Sequence, residues 1–354
     1  MRCLNTAQGA NPMAVSQRTC ISWKIHCHFS FRPRKGQVTC HCCNGEAKKF
    51  GRFKNKNRIV QRFRCLRCDK TFSESQPLDG LRVEHDKVVQ IVKLLAEGLG
   101  IRACARFTNC HIATVLSVLE TVGQKCESLH DKLVRNLTVE SLQIDELWAR
   151  VGISQRRTTV DDVERGDQYT FLAITAAEKL IVSHLTGKRN AENTEDFVCD
   201  FSQRIVGRVQ ITSDSWQPYP SLVTKYLLDR LDYATMQKVY GADCNNSASP
   251  DRKYSPGTCT GVRVKVRAGN PQADRINTAF VERVNLSVRH FTKRFVRLGL
   301  GYSRKLANHR AAINLFVCAY NFCKVHSTLG CTPAVSAKIT DHKWSIEELI
   351  DRAT

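Results

Sequence analysis

The sequence predicts an α/β protein, a mixed-sheet domain preceded by a small zinc ribbon and a helix-turn-helix. Three observations predict it. Two Cys-x-x-Cys pairs, Cys40/Cys43 and Cys65/Cys68, stand 21 residues apart. Behind them, a helix, a glycine-containing turn, a short helix and a longer helix follow in order. From residue 140 onward, short runs rich in Ile, Val, Leu and aromatics alternate with segments of helical period.

The 354-residue length predicts more than one domain, and 42% hydrophobic content excludes a mostly disordered chain. No apolar run is long enough to cross a membrane as a helix. Lys and Arg number 54 against 33 Asp and Glu, a net charge of +21, so the expected partner is a polyanion, with nucleic acid first. The 17 cysteines cluster at one place and are otherwise mostly single. That pattern predicts a metal site and buried free thiols in a reducing compartment, here cytoplasmic and nucleoid-associated, rather than a disulfide framework.

Residues 1–36 carry no acidic residue and no clear period. They read as a basic, disordered leader or as an over-extended start with Met13 as initiator, in preference to a transit peptide. Residues 37–80 form the zinc module. Two knuckles, Cys40/Cys43 and Cys65/Cys68, can hold one structural Zn2+ tetrahedrally, with Cys42 an alternative to Cys43. A module this short needs the metal to fold. Between the knuckles lie Lys48, Lys49, Arg52, Lys54, Lys56, Arg58, Arg62 and Arg64, interleaved with Phe50, Phe53 and Phe63. A charge run can be only a solvated face, but on a zinc ribbon it fits phosphate contact that positions DNA without reading it.

Residues 81–135 form the helix-turn-helix. Val88, Val89, Ile91, Val92 and Leu95 give the first helix an apolar face, and Gly98 and Gly100 break it. Ile101–Phe107 and His111–Leu129 follow. Asn109, His111, Thr114, Ser117 and Gln124 are the candidate base-reading residues. The alternative is a three-helix packing unit without DNA contact.

Residues 136–335 are expected to form the α/β domain that would be catalytic if the acids below act together, and 336–354 a C-terminal tail. Strands are expected at 141–149, 169–176, 180–185 and 209–214. Helices are expected at 191–206, 221–231, 278–297 and 303–323, with a loop containing Pro250, Gly261 and Pro271 between them. Asp145 sits inside an otherwise apolar strand, costly unless paired or metal-bound. Asp214 ends a second strand, at the sheet edge where α/β sites form. Glu282 lies beside the apolar face of the 278–297 helix. Glu146 is expected to face away from Asp145 and not to bind metal, and Trp148 to pack. Two strand acids and one helix acid can hold two Mg2+ or Mn2+ ions for in-line phosphoryl displacement. Any one of them alone can equally be an ion-paired carboxylate.

These features together resemble the insertion sequence 1 family of transposases. The matching stretches are QIDELWARVG (143–152), ITSDSWQPY (211–219), KVYG (238–241), KYSPGTC (253–259), the run 277–312, YNFCKVHSTL (320–329) and the tail at 332–334 and 341–349. The resemblance implies an RNase H-like fold and metal-dependent DNA cleavage and joining by Asp145, Asp214 and Glu282. It implies a basic residue two turns after Glu282, which is Arg289, set to hold a DNA phosphate or else to lie free on the surface. His309 can assist the site or pack, and Tyr320, Asn321 and His326 read as structural. The implied partners are double-stranded DNA, at element ends and target, and further copies of the chain. Two competing readings remain: a zinc and helix-turn-helix regulator without catalysis, and a nuclease that cleaves without joining.

Overall fold

The computed structural model describes residues 38, 40, 43, 45–55, 58–73, 81, 83–240, 259–297 and 299–353. The leader over 1–36, Cys42 and Lys56 lie outside them. The chain forms two compact units, Met1–Glu74 and Ser75–Thr354.

The first unit is a three-stranded antiparallel sheet of β1 (Ala47–Asn55), β2 (Arg58–Cys65) and β3 (Thr71–Ser73). Its small core is Val60 and Phe63, with Phe63 stacked on Phe72 at 5.8 Å. So few buried side chains cannot offset the chain entropy of folding.

The second unit opens with α1 (His85–Ala96), α2 (Ile101–Thr108) and α3 (Ile112–Leu133). Asn109 closes α2 in the left-handed conformation, which asparagine tolerates, and His111 Nδ1 accepts from the Ala113 amide to start α3. The strands are β4 (Ser141–Val151), β5 (Gly166–Thr175), β6 (Ile181–Gly187), β7 (Val209–Ser213), β8 (Leu231–Tyr240) and β9 (Cys259–Ala268). They form one mixed sheet in the order β6-β5-β4-β7-β8-β9. β4 pairs antiparallel with β5 and parallel with β7. The helices α4 (Ala191–Arg204), α5 (Tyr219–Leu227), α6 (Ala279–Phe291) and α7 (Leu306–Cys318) cover it. Two short helices, α8 (Pro333–Ser336) and α9 (Ile346–Arg352), end the chain.

Two apolar clusters sandwich the sheet. One joins α1, α3, α4 and α5 to Leu142, Ile144 and Phe171; the other joins α6 and α7 to Leu147, Ala149 and Leu172. The helices over 81–135 and the 336–354 tail, set apart in the sequence reading, share the first cluster: Val118, Leu119, Trp344 and Leu349 are all in it. At the α3–α7 crossing, a Cβ on Gly123 would lie 2.5 Å from the Ala311 carbonyl, so only glycine permits this approach. Asn321 anchors β6 by both donating to and accepting from the Ile181 backbone, at 2.9 and 3.0 Å.

Three sequence expectations are corrected. The region read as a loop through Gly261 contains β9, and the preceding helix stops at Leu227 so that Leu231–Tyr240 is a strand. The 278–297 helix ends at Phe291, where Thr292 turns extended.

Candidate active site and metal centre

The parallel pairing of β4 with β7 runs from Ser141↔Gln210 to Ile144↔Ser213 and stops there. β4 continues to Val151, paired with β5 throughout and bridged to Ser303 only at Val151 itself. Asp145 is the first β4 residue past the end of β7, and Asp214 is the residue that follows β7. The two carboxylates therefore meet at the notch left by the shorter strand. Past that point no strand covers the β7 side of β4, so Glu146 also reaches the notch although strand alternation sends it to the other face.

Carboxylate oxygens of Asp145, Glu146 and Asp214 lie within 4.8 Å of one another. This corrects the expectation that Glu146 faces away from the other two acids. The Glu146 side chain is only 3% exposed, and the buried Tyr219 hydroxyl lies against it. Burial pushes both Asp145 and Glu146 up to about 7, helped by the neighbouring acids. Asp214 is raised mainly by burial.

Each acid is held by specific neighbours. Asn285 Nδ2 donates to Asp145 Oδ2 at 2.7 Å, and the Trp216 amide donates to Asp214 Oδ1 at 2.9 Å. Arg189 Nη2 donates to Glu146 Oε2 at 2.9 Å and reaches Asp214 Oδ2 at 3.4 Å, while its guanidinium stacks 4.0 Å above Trp216. Gln143, buried two residues before Asp145, accepts from the amides of Phe280 and Val281 and so docks the start of α6 against the sheet. α6 thereby brings Glu282 to the wall of the pocket lined by Asp145 and Asp214. There Glu282 is held by Thr278 Oγ1 at 2.7 Å and Lys238 Nζ at 2.6 Å. Thus Asp145 and Asp214 meet directly, whereas Glu282 faces them across the pocket, paired with Lys238.

Sequence reasoning missed Glu146, Arg189, Lys238 and Gln143. A polar Gln143 inside an apolar strand carried the same signal as Asp145. Arg189 gave no local signal and Lys238 stood only as the first residue of the KVYG stretch, because strand pairing and tertiary packing bring both to the acids. Arg289 is half-buried on α6, lowered by burial and by Arg297, within electrostatic reach of Asp145. His309 is fully buried against Ser303 Oγ at 3.1 Å and Phe295, and burial lowers it to about 3, so it packs as a neutral ring.

In the first unit, Cys40, Cys43, Cys65 and Cys68 converge, with Sγ–Sγ separations of 3.6 Å for Cys40–Cys68 and 3.4 Å for Cys43–Cys65. All four are free thiols. A tetrahedron of thiolates at about 2.3 Å from zinc has edges of roughly 3.8 Å, so the cluster fits such an ion. Gly45 permits it, since a Cβ there would press on the Cys65 and Cys43 sulfurs at 3.2 and 3.3 Å. The Arg67 and Cys68 amides point at Cys65 Sγ, at 3.3 and 3.5 Å, and the Cys68 amide leads in lowering this thiol to about 6.

The basic residues divide between the two faces of the β1–β2 ribbon. Lys48 is in register with Arg64, and Arg62 shares their face; Lys49, Arg52 and Lys54 pair with Phe63, Gln61 and Ile59 on the other. Arg64 is ion-paired with Asp69. Among the candidate base-reading residues, Asn109, His111, Ser117 and Gln124 are exposed and Thr114 is half-buried. No described helix is long and apolar enough to cross a membrane.

Neither a protein-family model nor a curated protein matches the chain. Among solved structures, a cryo-EM structure of piggyBac transposase in a synaptic complex with hairpin DNA aligns over 76% of this chain and 69% of that one. The identity is 12% and the TM-score 0.37, too low to establish a common fold.

Proposed function

We propose that the chain is a DNA transposase of the DDE type, with an RNase H-like catalytic domain, that cuts and joins DNA by divalent-metal-dependent phosphoryl transfer. The observation that carries this reading is the notch at the end of the β4–β7 pair, where Asp145 and Asp214 converge and α6 faces them with Glu282. The insertion sequence 1 resemblance rests on the sequence motifs alone.

The donor set suits hard cations. It is all oxygen, with Asp145 and Glu146 largely buried and Asp214 and Glu282 open to solvent. Asp145, Asp214 and Glu282 would hold two Mg2+ or Mn2+ ions, with Glu146 at the same edge. Bound there, the ions would polarise the phosphoryl group and stabilise the attacking and leaving oxygens. The chain's own residues prepare the site. Asn285 and the Trp216 amide orient the two aspartates. Arg189 and Lys238 neutralise acids that would otherwise repel one another. Arg289 lies where it can meet a DNA phosphate.

In the first step, water attacks phosphorus, the bond to the 3′ oxygen breaks, and a 3′-hydroxyl and a 5′-phosphate result. In the second, that hydroxyl attacks a target phosphodiester and displaces another 3′ oxygen. Neither step forms a covalent bond to the protein. The zinc ribbon and the α2–α3 turn would carry the DNA contacts, through Lys48, Lys49, Arg52, Lys54, Lys56, Arg62 and Arg64 on the ribbon and His111 and Thr114 on α3. Joining two element ends calls for at least two copies of the chain.

One observation favours a second reading, a DNA-binding regulator without catalysis. Arg189 and Lys238 already neutralise Glu146, Asp214 and Glu282. Cleavage of supercoiled plasmid in Mg2+ separates the two. The transposase reading expects nicking by the native protein and none by Asp214→Ala; equal background from both favours the regulator.

A further inference from the structure

A cleft of 630 Å3 opens between the end of α1, the start of α2, the first half of α3, α7 and the residues 291–294 and 300–304. Its volume is that of an ordinary small-ligand site, roughly 300–1,000 Å3. Leu99, Ile112, Leu116, Phe291, Tyr302 and Phe316 give it an apolar and aromatic wall. Its polar side is unusual. Arg102, Lys293, Arg294 and Arg304 line it, and no Asp or Glu does. None of these four cations is ion-paired among the described residues.

Arg294 is the most telling. Its Nη1 donates to Ser303 Oγ at 2.8 Å, yet its buried Nη2 has no partner. Asn308, on the same cleft, has a buried Oδ1 without a partner. A half-buried guanidinium without a counter-ion, beside an orphan acceptor, is costly until something satisfies both. A ligand that matches this lining has an apolar body, a hydrogen-bonding edge and more than one negative charge. An acyl chain with one carboxylate would leave Asn308 and most of the cations unmatched.

We propose that this cleft binds an unpaired nucleotide of a DNA strand, its base on the apolar wall and its flanking phosphates on Arg294 and the cations around it. The choice of DNA rests on the function proposed above; the site itself is separate from the acidic notch.

The test uses the full-length zinc-loaded protein without Mg2+. Three probes are compared: a blunt duplex, the same duplex with unpaired nucleotides at one end that include 2-aminopurine, and decanoate. Base stacking in such sites gives on the order of a tenfold gain in affinity. The expected result is that gain for the unpaired end, with a change in 2-aminopurine emission. Leu116→Trp, which fills the cleft, and Arg294→Gln should each lose the gain while keeping the blunt-duplex affinity. Because Arg294→Gln can disturb folding, Leu116→Trp decides. Equal affinity of the native protein for both duplexes, or a gain that survives Leu116→Trp, overturns the proposal and leaves the transposase reading intact. Decanoate binding that Leu116→Trp abolishes, with indifference to the unpaired end, overturns it in favour of an acyl ligand. Failure to bind either DNA overturns both.

Discussion

Arg189 donates to Glu146 at 2.9 Å, a hydrogen bond between a stacked guanidinium and a nearly inaccessible carboxylate. The pair sits at the edge of the acidic notch, and Arg189 extends to Asp214 as well. A cation fixed here does in the metal-free protein what a divalent ion would do in the loaded one. Removing it leaves buried carboxylates unpaired, which typically costs about 3–5 kcal/mol. Arg189→Ala should therefore lower the melting temperature markedly, and millimolar Mn2+ should restore more of it than in the native protein. Calorimetric melts with and without Mn2+ check this. An unchanged melting temperature in the variant would contradict it.

The titration of the notch has a definite sign. Asp145 and Glu146 are both raised to about 7, first by burial. A carboxyl raised on folding binds more protons folded than unfolded, so stability is greatest below the unfolded value near 4 and falls as pH rises towards 7. The metal-free protein should lose on the order of a few kcal/mol between pH 5 and 7.5. Glu146→Gln or saturating Mg2+ should flatten that slope. Denaturant titrations across this range measure it, and a slope identical in native protein and variant would count against the cluster.

Lys238 and Glu282 form a half-exposed ion pair, and such pairs contribute only about 0–1 kcal/mol. Lys238→Met should barely change stability but should tighten Mn2+ binding severalfold, because Glu282 no longer has a competing cation. Isothermal titration with Mn2+ reads both affinity and stoichiometry. Weaker binding in the variant would mean that Lys238 organises the acid instead of occupying it.

The two units should respond differently to chelation. Cys43→Ser, or a strong zinc chelator, should unfold Met1–Glu74 and leave the melting of Ser75–Thr354 in place, since the described apolar core of the first unit is small. Bound zinc should be one per chain. A four-cysteine unit that stays folded after complete zinc removal would refute the structural role.

Gly123→Ala forces a methyl into the Ala311 backbone at the α3–α7 crossing. Overpacking of this kind costs typically about 1–3 kcal/mol. Since α3 carries both the core and the candidate DNA-reading turn, the variant should melt lower and lose DNA affinity only in proportion to the unfolded fraction.

The sequence made some of this legible and hid the rest for physical reasons. Asp145 and Asp214 were readable because a carboxylate in or just after an apolar strand violates the cost of burial. The clustering of Cys40, Cys43, Cys65 and Cys68 was readable because their spacing alone encodes two knuckles. β9 was missed although Val262, Arg263, Val264, Lys265, Val266 and Arg267 alternate cleanly; the glycine and prolines around them read as loop. Glu146 was excluded by strand alternation, which fixes the face its Cβ leaves from but not how far a long side chain can bend round an open strand edge. The partners Arg189 and Lys238 are 43 and 44 residues from the acids they meet, and no local pattern encodes that pairing.

The joining reaction tests the central claim most directly. Purified protein, a labelled duplex carrying the element end and a target plasmid are incubated with Mg2+, and the products are resolved on a sequencing gel. The native protein should yield 3′-hydroxyl ends at one strand position and labelled plasmid joined through them. Asp145→Asn, Asp214→Asn and Glu282→Gln should each reduce both products by roughly 10²-fold or more. Joined product formed equally well by any of the three variants, or none formed by the native protein, would contradict the account.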